Sequence, residues 1–401
     1  MIDLIRRRPV VVAGLGRSGA AAAALLAEKG APEIIVTDSR PAAALEEALA
    51  ELKGYRGIRV VAGGNPPELL TPAVGLVIKS PGIPRSLELF ARADSLEIPV
   101  LSEIELAYAF MRAPLIGVTG SNGKTTTTAL IAAMLVEANF NGAMAAGNIG
   151  VPLCAATAVG PSGAVAAELS SFQLADIRKF RPAVALFLNF AEDHLDYHGS
   201  LESYYRAKVR LFENQGPGDF AVLNRADPAV ARLRRQLPGP VLLFDRGPVE
   251  CGAGIARGKV ILFNGGRPAA ELCAVTEIAL PGEHNLENAL AAAAAAWAAG
   301  AAPEAIGRVL RSFQPLAHRL ESVAEIDGVL YVNDSKGTNP GAVIRALRSF
   351  PGKKKILLAG GRDKGSDFAG LAAVIKEEVR LLLLYGESRA KLARAAEQAG
   401  F

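Results

Sequence analysis

The segment 115–127, with the sequence LIGVTGSNGKTTT, combines residue types that can hold a nucleotide polyphosphate. It predicts a buried strand, a glycine-rich turn and then a helix. In such a turn, backbone N–H groups point at phosphate oxygens, Lys124 reaches the β- and γ-phosphates, and the Thr125 hydroxyl can bind Mg²⁺. The general phosphate-loop pattern has a further glycine five residues before Gly123, where this chain has Val118, so the match is partial. The alternative is an ordinary strand–turn–helix junction.

Two further groups of polar residues follow predicted strands of the same region. Glu168 comes directly after the strand 164–167, and the strand 183–188 is followed by the sequence NFAEDHLD, which contains His194. Because parallel α/β sheets bind ligands at the carboxyl ends of their strands, we expect these residues beside the phosphate loop. Mg²⁺ prefers oxygen ligands, so Thr125 and Glu168 are candidate ligands, with His194 for a second ion. The alternatives are a capping or ion-paired glutamate and a hydrogen-bonded loop histidine.

Lys208 lies on the apolar face of a predicted helix that spans residues 201–214. The apolar face is formed by Leu201, Tyr204, Tyr205, Leu211 and Phe212. A lysine on a buried face has a lowered pKa, and a neutral amine can react with CO₂ to form a carbamate, which is a carboxylate-like metal ligand. On the residues alone, we prefer the alternative in which the lysine stem packs on the core and the ammonium reaches water.

Charged loops also follow the predicted strands near the C-terminus. They contain His318-Arg319, the sequence NDSKGT at 333–338 and the sequence GGRDKG at 360–365. The cations Arg319 and Lys336 suit a phosphate group that moves during a reaction. Surface ion pairing is the alternative for any one of these residues.

Composition limits the function classes. The 401-residue chain has a net charge of +4, 50% hydrophobic residues and 21% charged residues, which argues against a dedicated nucleic-acid-binding protein. Cys154, Cys251 and Cys273 form no CxxC pair, which fits a reducing cytoplasm. The alanine-rich run 289–302 is too short and too weakly apolar to span a bilayer, so we expect no membrane insertion.

Predicted strands and helices alternate throughout, which indicates an α/β fold with mostly parallel sheets. We expect three domains, at residues 1–110, 111–314 and 315–401. The first opens with a Rossmann-like unit whose turn has the pattern G-x-G-x-x-G at 14–19. Further strands are expected at 9–13, 33–37, 59–62, 76–78, 99–101, 220–223, 329–332, 355–359 and 381–385, with irregular strands and loops over 225–282. The glycine pattern alone would also suit an NAD(P) oxidoreductase, but it is a weak motif and a second nucleotide loop follows it.

Taken together, these motifs resemble the ATP-dependent Mur ligases of peptidoglycan synthesis. The phosphate loop of that family is a shortened form, which explains Val118. The resemblance implies a Rossmann-like first domain, a central P-loop-type ATPase domain and a Rossmann-like third domain. Within the family, the segment 168–174 and the first domain are most similar to the members that add D-glutamate. The matching segments are 119–126, 147–150, 168–174, 192–196, 205–208, 284–285 with Asn288, 318–321 and 333–340.

The resemblance also implies a reaction and its site residues. A monomeric cytoplasmic enzyme would use ATP and Mg²⁺ to join D-glutamate to UDP-N-acetylmuramoyl-L-alanine through an acyl-phosphate. The implied metal ligands are Thr125, Glu168, His194 and carbamylated Lys208. The implied ATP contacts are Gly120, Ser121, Asn122, Gly123, Lys124, Thr125, Thr126, Asn285, Asn288, Arg319 and Asp334. The implied substrate contacts are Arg17, Ser18, Asp38, Ser39, Arg40, Gly82, Asn148, Thr338 and Lys364. The implied catalytic residues are Lys124, His194, Lys208, Arg319 and Lys336.

One departure from the family pattern leaves alternatives open. The family continues with a further strand and a loop that binds D-glutamate, whereas this chain ends at Gly400-Phe401. We therefore expect an incomplete C-terminal domain and an altered amino-acid site. The alternatives are a sister ligase for another amino acid, a folylpolyglutamate-type ligase, and a nucleotide-sugar-binding protein without turnover.

Overall fold

The computed structural model describes residues 1–314, 316–363 and 365–401, without the side chain of Asp196. The N-terminal region contains a five-stranded sheet in which all neighbouring strands are parallel. Its strands are β1 (Val10–Ala13), β2 (Ile34–Asp38), β3 (Ile58–Ala62), β4 (Leu76–Lys79) and β5 (Val100–Ser102), in the order β3-β2-β1-β4-β5. Its helices are α1 (Ile2–Arg7), α2 (Arg17–Glu28), α3 (Glu46–Glu51), α4 (Glu88–Ser95) and α5 (Glu103–Phe110). Every residue of β1, β2 and β4 is buried, as expected for apolar strands covered by helices on both faces.

The central region contains a nine-stranded sheet. Its strands are β6 (Leu115–Thr119), β7 (Met144–Gly147), β8 (Val165–Glu168), β9 (Val184–Phe187), β10 (Phe220–Asn224), β11 (Val241–Phe244), β12 (Gly252–Ala256), β13 (Lys259–Asn264) and β14 (Arg267–Ala274). Its helices are α6 (Lys124–Glu137), α7 (Ser171–Leu174), α8 (Leu195–His198), α9 (Leu201–Val209), α10 (Pro228–Ala231), α11 (Glu283–Ala298) and α12 (Pro303–Ser312). The order is β14-β13-β12-β11-β10-β9-β6-β8-β7. Strand β6 therefore lies between the parallel strands β8 and β9.

The expectation of irregular structure over 225–282 is wrong. That segment contains four regular strands, of which β12, β13 and β14 form an antiparallel extension of the sheet. The expected helix 201–214 is also shorter, because α9 ends at Val209 and a 3₁₀ turn follows. Leu201 is 44% exposed, so it does not belong to the buried face that contains Lys208.

The C-terminal region is arranged as two small sheets. Strands β15 (Glu321–Ile326) and β16 (Val329–Asn333) form an antiparallel hairpin, and β17 (Lys355–Gly360) pairs in parallel with β18 (Val379–Tyr385). The helices are α13 (Pro340–Arg348), α14 (Ala369–Glu378) and α15 (Arg389–Gln398). One face of β17 and β18 packs on these helices. Strand β15 was not expected from the sequence.

Buried polar contacts join the N-terminal and central regions. The Lys79 ammonium is 1% exposed and lies 3.0 Å from Oδ2 of Asp176. The Glu105 carboxylate accepts hydrogen bonds from three consecutive backbone N–H groups, those of Arg178, Lys179 and Phe180. These contacts fix the N-terminal region against the connection between α7 and β9 of the central region.

Candidate active site

The phosphate loop connects β6 to α6, and two of its glycines adopt backbone angles that other residues avoid. Gly120 has a φ of 153° and Gly123 a φ of 84°. A Cβ atom on Gly123 would lie 2.2 Å from Oδ1 of Asn288, so the close approach of α11 also requires glycine here. The first turn of α6 then leaves its backbone N–H groups free to bind an anion.

Lys124 folds back over this loop. Its Nζ donates hydrogen bonds to the carbonyl oxygens of Gly120, at 2.9 Å, and Ser121, at 3.0 Å. Burial lowers the pKa of Lys124, while the nearby Glu168 and Asp193 carboxylates oppose the shift. The ammonium therefore occupies the position where the phosphates of a bound nucleotide are expected.

The phosphate loop opens into a cleft of about 730 Å³ between the three regions. The cleft brings together most of the residues that the sequence singled out. Those that line it are Arg17, Ser121, Asn122, Gly123, Lys124, Thr125, Thr126, Asn148, Glu168, His194, Lys208, Asn285, Asn288, Arg319, Asp334, Lys336 and Thr338. Gly120 reaches it through its carbonyl oxygen, which accepts the hydrogen bond from Lys124. Lys364 lies outside the described residues.

Glu168 is the buried carboxylate of the cleft. Its Oε1 accepts a hydrogen bond from Nδ2 of Asn148 at 2.9 Å, while its Oε2 is buried without a partner among the described residues. An orphaned carboxylate oxygen in the cleft that also contains Thr125 suits a divalent cation that takes its other ligands from phosphate and water. In the described part of the chain, no three His, Cys, Asp or Glu side chains cluster into a metal cage, so the protein alone offers few ligands.

Lys208 does not reach water, because its side chain is 1% exposed. Its Nζ donates a hydrogen bond to the Gly120 carbonyl at 2.8 Å and lies 4.6 Å from the centre of the Tyr204 ring. Burial, reinforced by the charge of Lys124, holds the pKa of Lys208 well below its usual value. The geometry therefore contradicts the solvent-reaching alternative and leaves a reactive amine beside the phosphate loop.

His194 lies at the mouth of the cleft on the segment that follows β9. It has a φ of 54° and its Nε2 lies 3.7 Å from Oδ2 of Asp193. Its ring packs edge-on against Phe172, with 4.9 Å between the ring centres. The ring also lies 6.1 Å, centre to centre, from that of Tyr204, so His194 belongs to an aromatic cluster that lines the cleft.

Five of the implied substrate contacts, all in the N-terminal region, lie apart from this cleft. Ser18, Asp38, Ser39, Arg40 and Gly82 are absent from the described residues that line it. The Asp38 carboxylate accepts hydrogen bonds from the Leu15 backbone and from Arg40, which lower its pKa to about 2. Arg17 joins this end to the cleft, since its Nη1 donates to the Gly150 carbonyl at 3.0 Å.

The C-terminal region places three cations, Arg319, Lys336 and Arg345, and the acid Asp334 in the cleft. Nη2 of Arg319 donates a hydrogen bond to the Thr125 hydroxyl, and burial lowers the pKa of Arg319. Oδ1 of Asp334 accepts from the Leu320 backbone at 3.1 Å, and burial raises the pKa of Asp334. Lys336 lies on the loop between β16 and α13, which faces the phosphate loop.

Sequence reasoning missed several residues of the cleft. Asn339 donates hydrogen bonds to Asn122 and Asp193, and Tyr204 contacts Ser121 through their hydroxyls at 3.3 Å. Arg345 also lines the cleft, and its Nη2 is buried without a partner among the described residues. The Asn-Pro pair at 339–340 predicts a helix start, but no local pattern predicts contacts across regions.

Family models match all three regions of the chain. A Mur ligase MurD-like N-terminal domain matches residues 8–102, and a Mur ligase middle domain matches 118–296. A Mur ligase glutamate ligase domain matches 318–400. A phosphate loop, an orphaned buried carboxylate and cations from a third region suit a nucleotide-dependent enzyme, which is the class that these models describe.

Curated relatives agree with the family models. The chain is 44% identical to the UDP-N-acetylmuramoylalanine--D-glutamate ligase of Pelotomaculum thermopropionicum, over 100% of this chain and 87% of that protein. It is 45% identical to the enzyme of the same name from Geobacillus kaustophilus, over 98% of this chain and 86% of that protein. The chain therefore belongs to the Mur ligase family, whose members are ATP-dependent ligases.

Solved structures support the fold. The UDP-N-acetylmuramate-alanine ligase of Thermotoga maritima aligns with a TM-score of 0.60 at 19% identity, over 98% of this chain and 89% of that one. A MurF ligase from the same organism, in complex with ADP, aligns with a TM-score of 0.54 at 19% identity, over 100% and 98%. Among the described residues, no helix is long and apolar enough to cross a membrane.

Proposed function

We propose that this chain joins D-glutamate to UDP-N-acetylmuramoyl-L-alanine at the expense of ATP, in the synthesis of a peptidoglycan precursor. The observation that carries the proposal is the single cleft that combines the phosphate loop, Glu168 and Lys208 with Arg319 and Lys336 from the C-terminal region. The names of the curated relatives supply the two substrates. Membership of the family also removes the oxidoreductase alternative for the glycine turn at 14–19.

The proposed reaction has two steps. An oxygen of the L-alanyl carboxylate attacks the γ-phosphorus of ATP, the bond from that phosphorus to the β-phosphate oxygen breaks, and ADP leaves. The D-glutamate amine then attacks the carbonyl of the acyl-phosphate, loses a proton, and expels inorganic phosphate. In the first step two anions approach one another, so Lys124 and Arg319 stabilise the transferring phosphoryl group.

The residues of the cleft divide these tasks by position. Lys124 and the N–H groups at the start of α6 hold the β- and γ-phosphates. Asn285 and Asn288, on the first turns of α11, lie where the adenine of a nucleotide bound to this loop would extend. Asn148 and His194 flank the entrance from the N-terminal region and face the acyl end of the nucleotide sugar. Lys336 and Thr338 approach from the C-terminal region, where the amino acid would enter.

The orphaned Oε2 of Glu168 suits a divalent cation. When bound, Mg²⁺ supplies charge neutralisation at the phosphates. Thr125 and Glu168 would hold it, with His194 and Lys208 beside a second ion. Among the described side chains, the buried amine of Lys208 has no carboxylate partner at hydrogen-bond distance, which supports carbamylation as its route to becoming a ligand.

The N-terminal region is proposed to bind the uridine diphosphate end of the substrate. Ser39, Arg40 and Gly82 lie on turns at the carboxyl ends of its parallel strands, and Ser18 lies in the first turn of α2 after β1, on the usual ligand side of such a sheet. Asp38 contributes by fixing Arg40 rather than by offering a free carboxylate. We also propose domains at 1–110, 111–314 and 315–401. A cytoplasmic, monomeric enzyme remains a prediction.

The first experiment is phosphate release from ATP with UDP-N-acetylmuramoyl-L-alanine, with and without D-glutamate. Release that requires both substrates supports the ligase, and a panel of other amino acids separates it from a sister ligase. If the nucleotide sugar binds and no phosphate is released, the chain is a binding protein without turnover. If neither the nucleotide sugar nor ATP binds, the proposed function is wrong.

A further inference from the structure

Asn339 is the N-cap residue that directly precedes helix α13 of the C-terminal region, and it also touches the central region. Its Oδ1 accepts a hydrogen bond from the Ala342 backbone at 2.8 Å, which caps the helix. Its Nδ2 donates to Oδ1 of Asn122 at 3.1 Å and to Oδ2 of Asp193 at 3.3 Å. One side-chain amide therefore bonds to three separate segments of the chain.

Its two partners in the central region belong to the two loops that surround the phosphate position. Asn122 lies in the phosphate loop, where its backbone N–H donates to Oδ1 of Asn189 at 2.9 Å. Asp193 precedes His194 and accepts a hydrogen bond from the His194 backbone at 2.9 Å. A group that bonds to both Asn122 and Asp193 fixes the distance between these loops.

The loop that carries Lys336 and Thr338 is attached at both ends. At its start, Asp334 accepts a hydrogen bond from the Leu320 backbone, next to Arg319, whose side chain contacts Thr125. At its end, Asn339 is bonded to Asn122 and Asp193. Between these attachments the Lys336 backbone N–H donates to the His318 carbonyl at 3.2 Å, so the loop is held along its length.

We propose that Asn339 is a positioning residue that fixes the C-terminal region on the phosphate loop for phosphoryl transfer. It acts through Asn122, Asp193 and the Lys336 loop rather than by touching the substrates. The inference rests on the proposed ligase function and adds to it the group that sets the closed geometry. Such positioning affects the rate of the bound complex more than the binding of the nucleotide sugar, because none of the three contacts involves the N-terminal region.

Substitution can separate this role from helix capping. Asp caps helices as well as Asn does, so Asn339→Asp keeps the bond from Ala342. It removes the donor and places a carboxylate beside Asp193, whose Oδ2 is 3.3 Å from the present amide nitrogen. Asn339→Ala removes both functions. Asn264→Asp introduces the same charge on an exposed residue at the end of β13, outside the cleft, and serves as the control.

The test measures kcat, KM for each substrate and the midpoint of thermal unfolding for the full chain and these three variants. For Asn339→Asp we expect an unchanged unfolding midpoint, an unchanged KM for the nucleotide sugar, and a kcat lowered about 10- to 100-fold, the range for a lost bond to a charged group. Asn339→Ala should show a lowered midpoint as well. Asn264→Asp should match the wild type.

A second readout does not depend on turnover. Hydrogen–deuterium exchange of residues 334–348, with and without ADP, should show protection by ADP in the wild type and reduced protection in Asn339→Asp. Wild-type kcat and protection in Asn339→Asp would overturn the proposal. If Asn339→Ala lowers the unfolding midpoint and neither variant lowers kcat, Asn339 only caps helix α13 and the proposal is wrong. If the wild-type chain binds ADP but does not ligate, the proposed function fails, while the exchange experiment still decides the role of Asn339.

Discussion

Gly123→Ala tests whether the geometry of the phosphate loop, rather than its composition, creates the nucleotide site. Gly123 has a φ of 84°, and a non-glycine residue in this left-handed region costs about 1–2 kcal/mol. The added Cβ would also lie 2.2 Å from Oδ1 of Asn288, which must then move. That movement would break the contacts of Asn288 with Thr127, at 3.4 Å, and Asn285, at 3.2 Å, at about 1 kcal/mol each.

Gly142→Ala is the matched control for this change. Gly142 has a φ of 75°, but a Cβ atom there would meet nothing within 4 Å. Gly142→Ala should therefore lower the free energy of unfolding by the backbone component alone, about 1–2 kcal/mol, whereas Gly123→Ala should lower it by about 3–4 kcal/mol. Because Asn288 lines the cleft, Gly123→Ala should also weaken ADP binding, whereas Gly142→Ala should not.

The assay combines urea-induced unfolding with titration of ADP into each folded variant. Equal losses of stability in the two variants would mean that Asn288 moves without penalty, which would refute the reasoning from the close contact. Wild-type affinity for ADP in Gly123→Ala would show that the nucleotide does not depend on this loop conformation. The second result would require a different nucleotide position.

Three further predictions concern charged residues. Lys124→Ala should abolish ATP-dependent phosphate release in the standard assay, and near-normal activity would contradict the phosphate-loop assignment. Lys208→Ala should be strongly impaired and partly rescued by added short carboxylates, which can replace a carbamate; full activity without them would leave Lys208 a structural residue. Asp38 has a folded pKa of about 2, below its ordinary 3.8, so its stabilisation is fully present above about pH 4 and is lost as the pH falls toward 2. The free energy of unfolding should fall by about 2 kcal/mol over this range, reduced by solvent screening. Unfolding measured as a function of pH should show the fall in the wild type and not in Asp38→Asn. Equal acid sensitivity of the two proteins would contradict the assignment to Asp38.

The parts of the fold with strong local signals were predictable from sequence. The apolar runs of β1, β6, β8 and β9 each end at a glycine turn or a polar residue. The structure places β1, β8 and β9 within one residue of the predicted bounds, and β6 directly before the phosphate loop, as expected. The α/β class and the large, mostly parallel central sheet are confirmed. These elements are recognisable because a fully buried parallel strand requires a continuous apolar run.

Several elements that escaped prediction lack such runs. Strand β7 has the sequence MAAG, which carries no β-branched residue, and β14 begins with Arg-Pro at an exposed edge. Strand β7 forms by pairing with β8, about 20 residues further on, and local periodicity does not encode that pairing. Strands β11 and β13 do have apolar runs, so the glycines and prolines around them, rather than their own composition, hid them.

The residues of the candidate site also divide into those that a local motif predicts and those whose contacts depend on distant parts of the chain. Gly123, Lys124 and Thr125 were predictable because one short segment contains the whole motif. The burial of Lys208 was only partly predictable, because it depends on the Gly120 carbonyl and the Tyr204 ring closing over the amine. The bonds of Asn339 to Asn122 and Asp193 depend on how the C-terminal region docks, which no local pattern describes. The residue roles at the site are proposals that the variants above test.

The alanine-rich helix α11 sets limits on which sequences can maintain this cleft. Its first turns carry Asn285 and Asn288, and beyond them Ala289 and residues 291–296 are at most 1% exposed. A larger side chain at any of these positions would overpack the core by about 1–3 kcal/mol, and glycine would cost about 1 kcal/mol in helix propensity. A saturation library should therefore retain little beyond alanine and serine along two turns of this helix. Variants lost there would fail because the helix shifts and carries its asparagines away from the nucleotide, even though none of the substituted alanines lines the cleft.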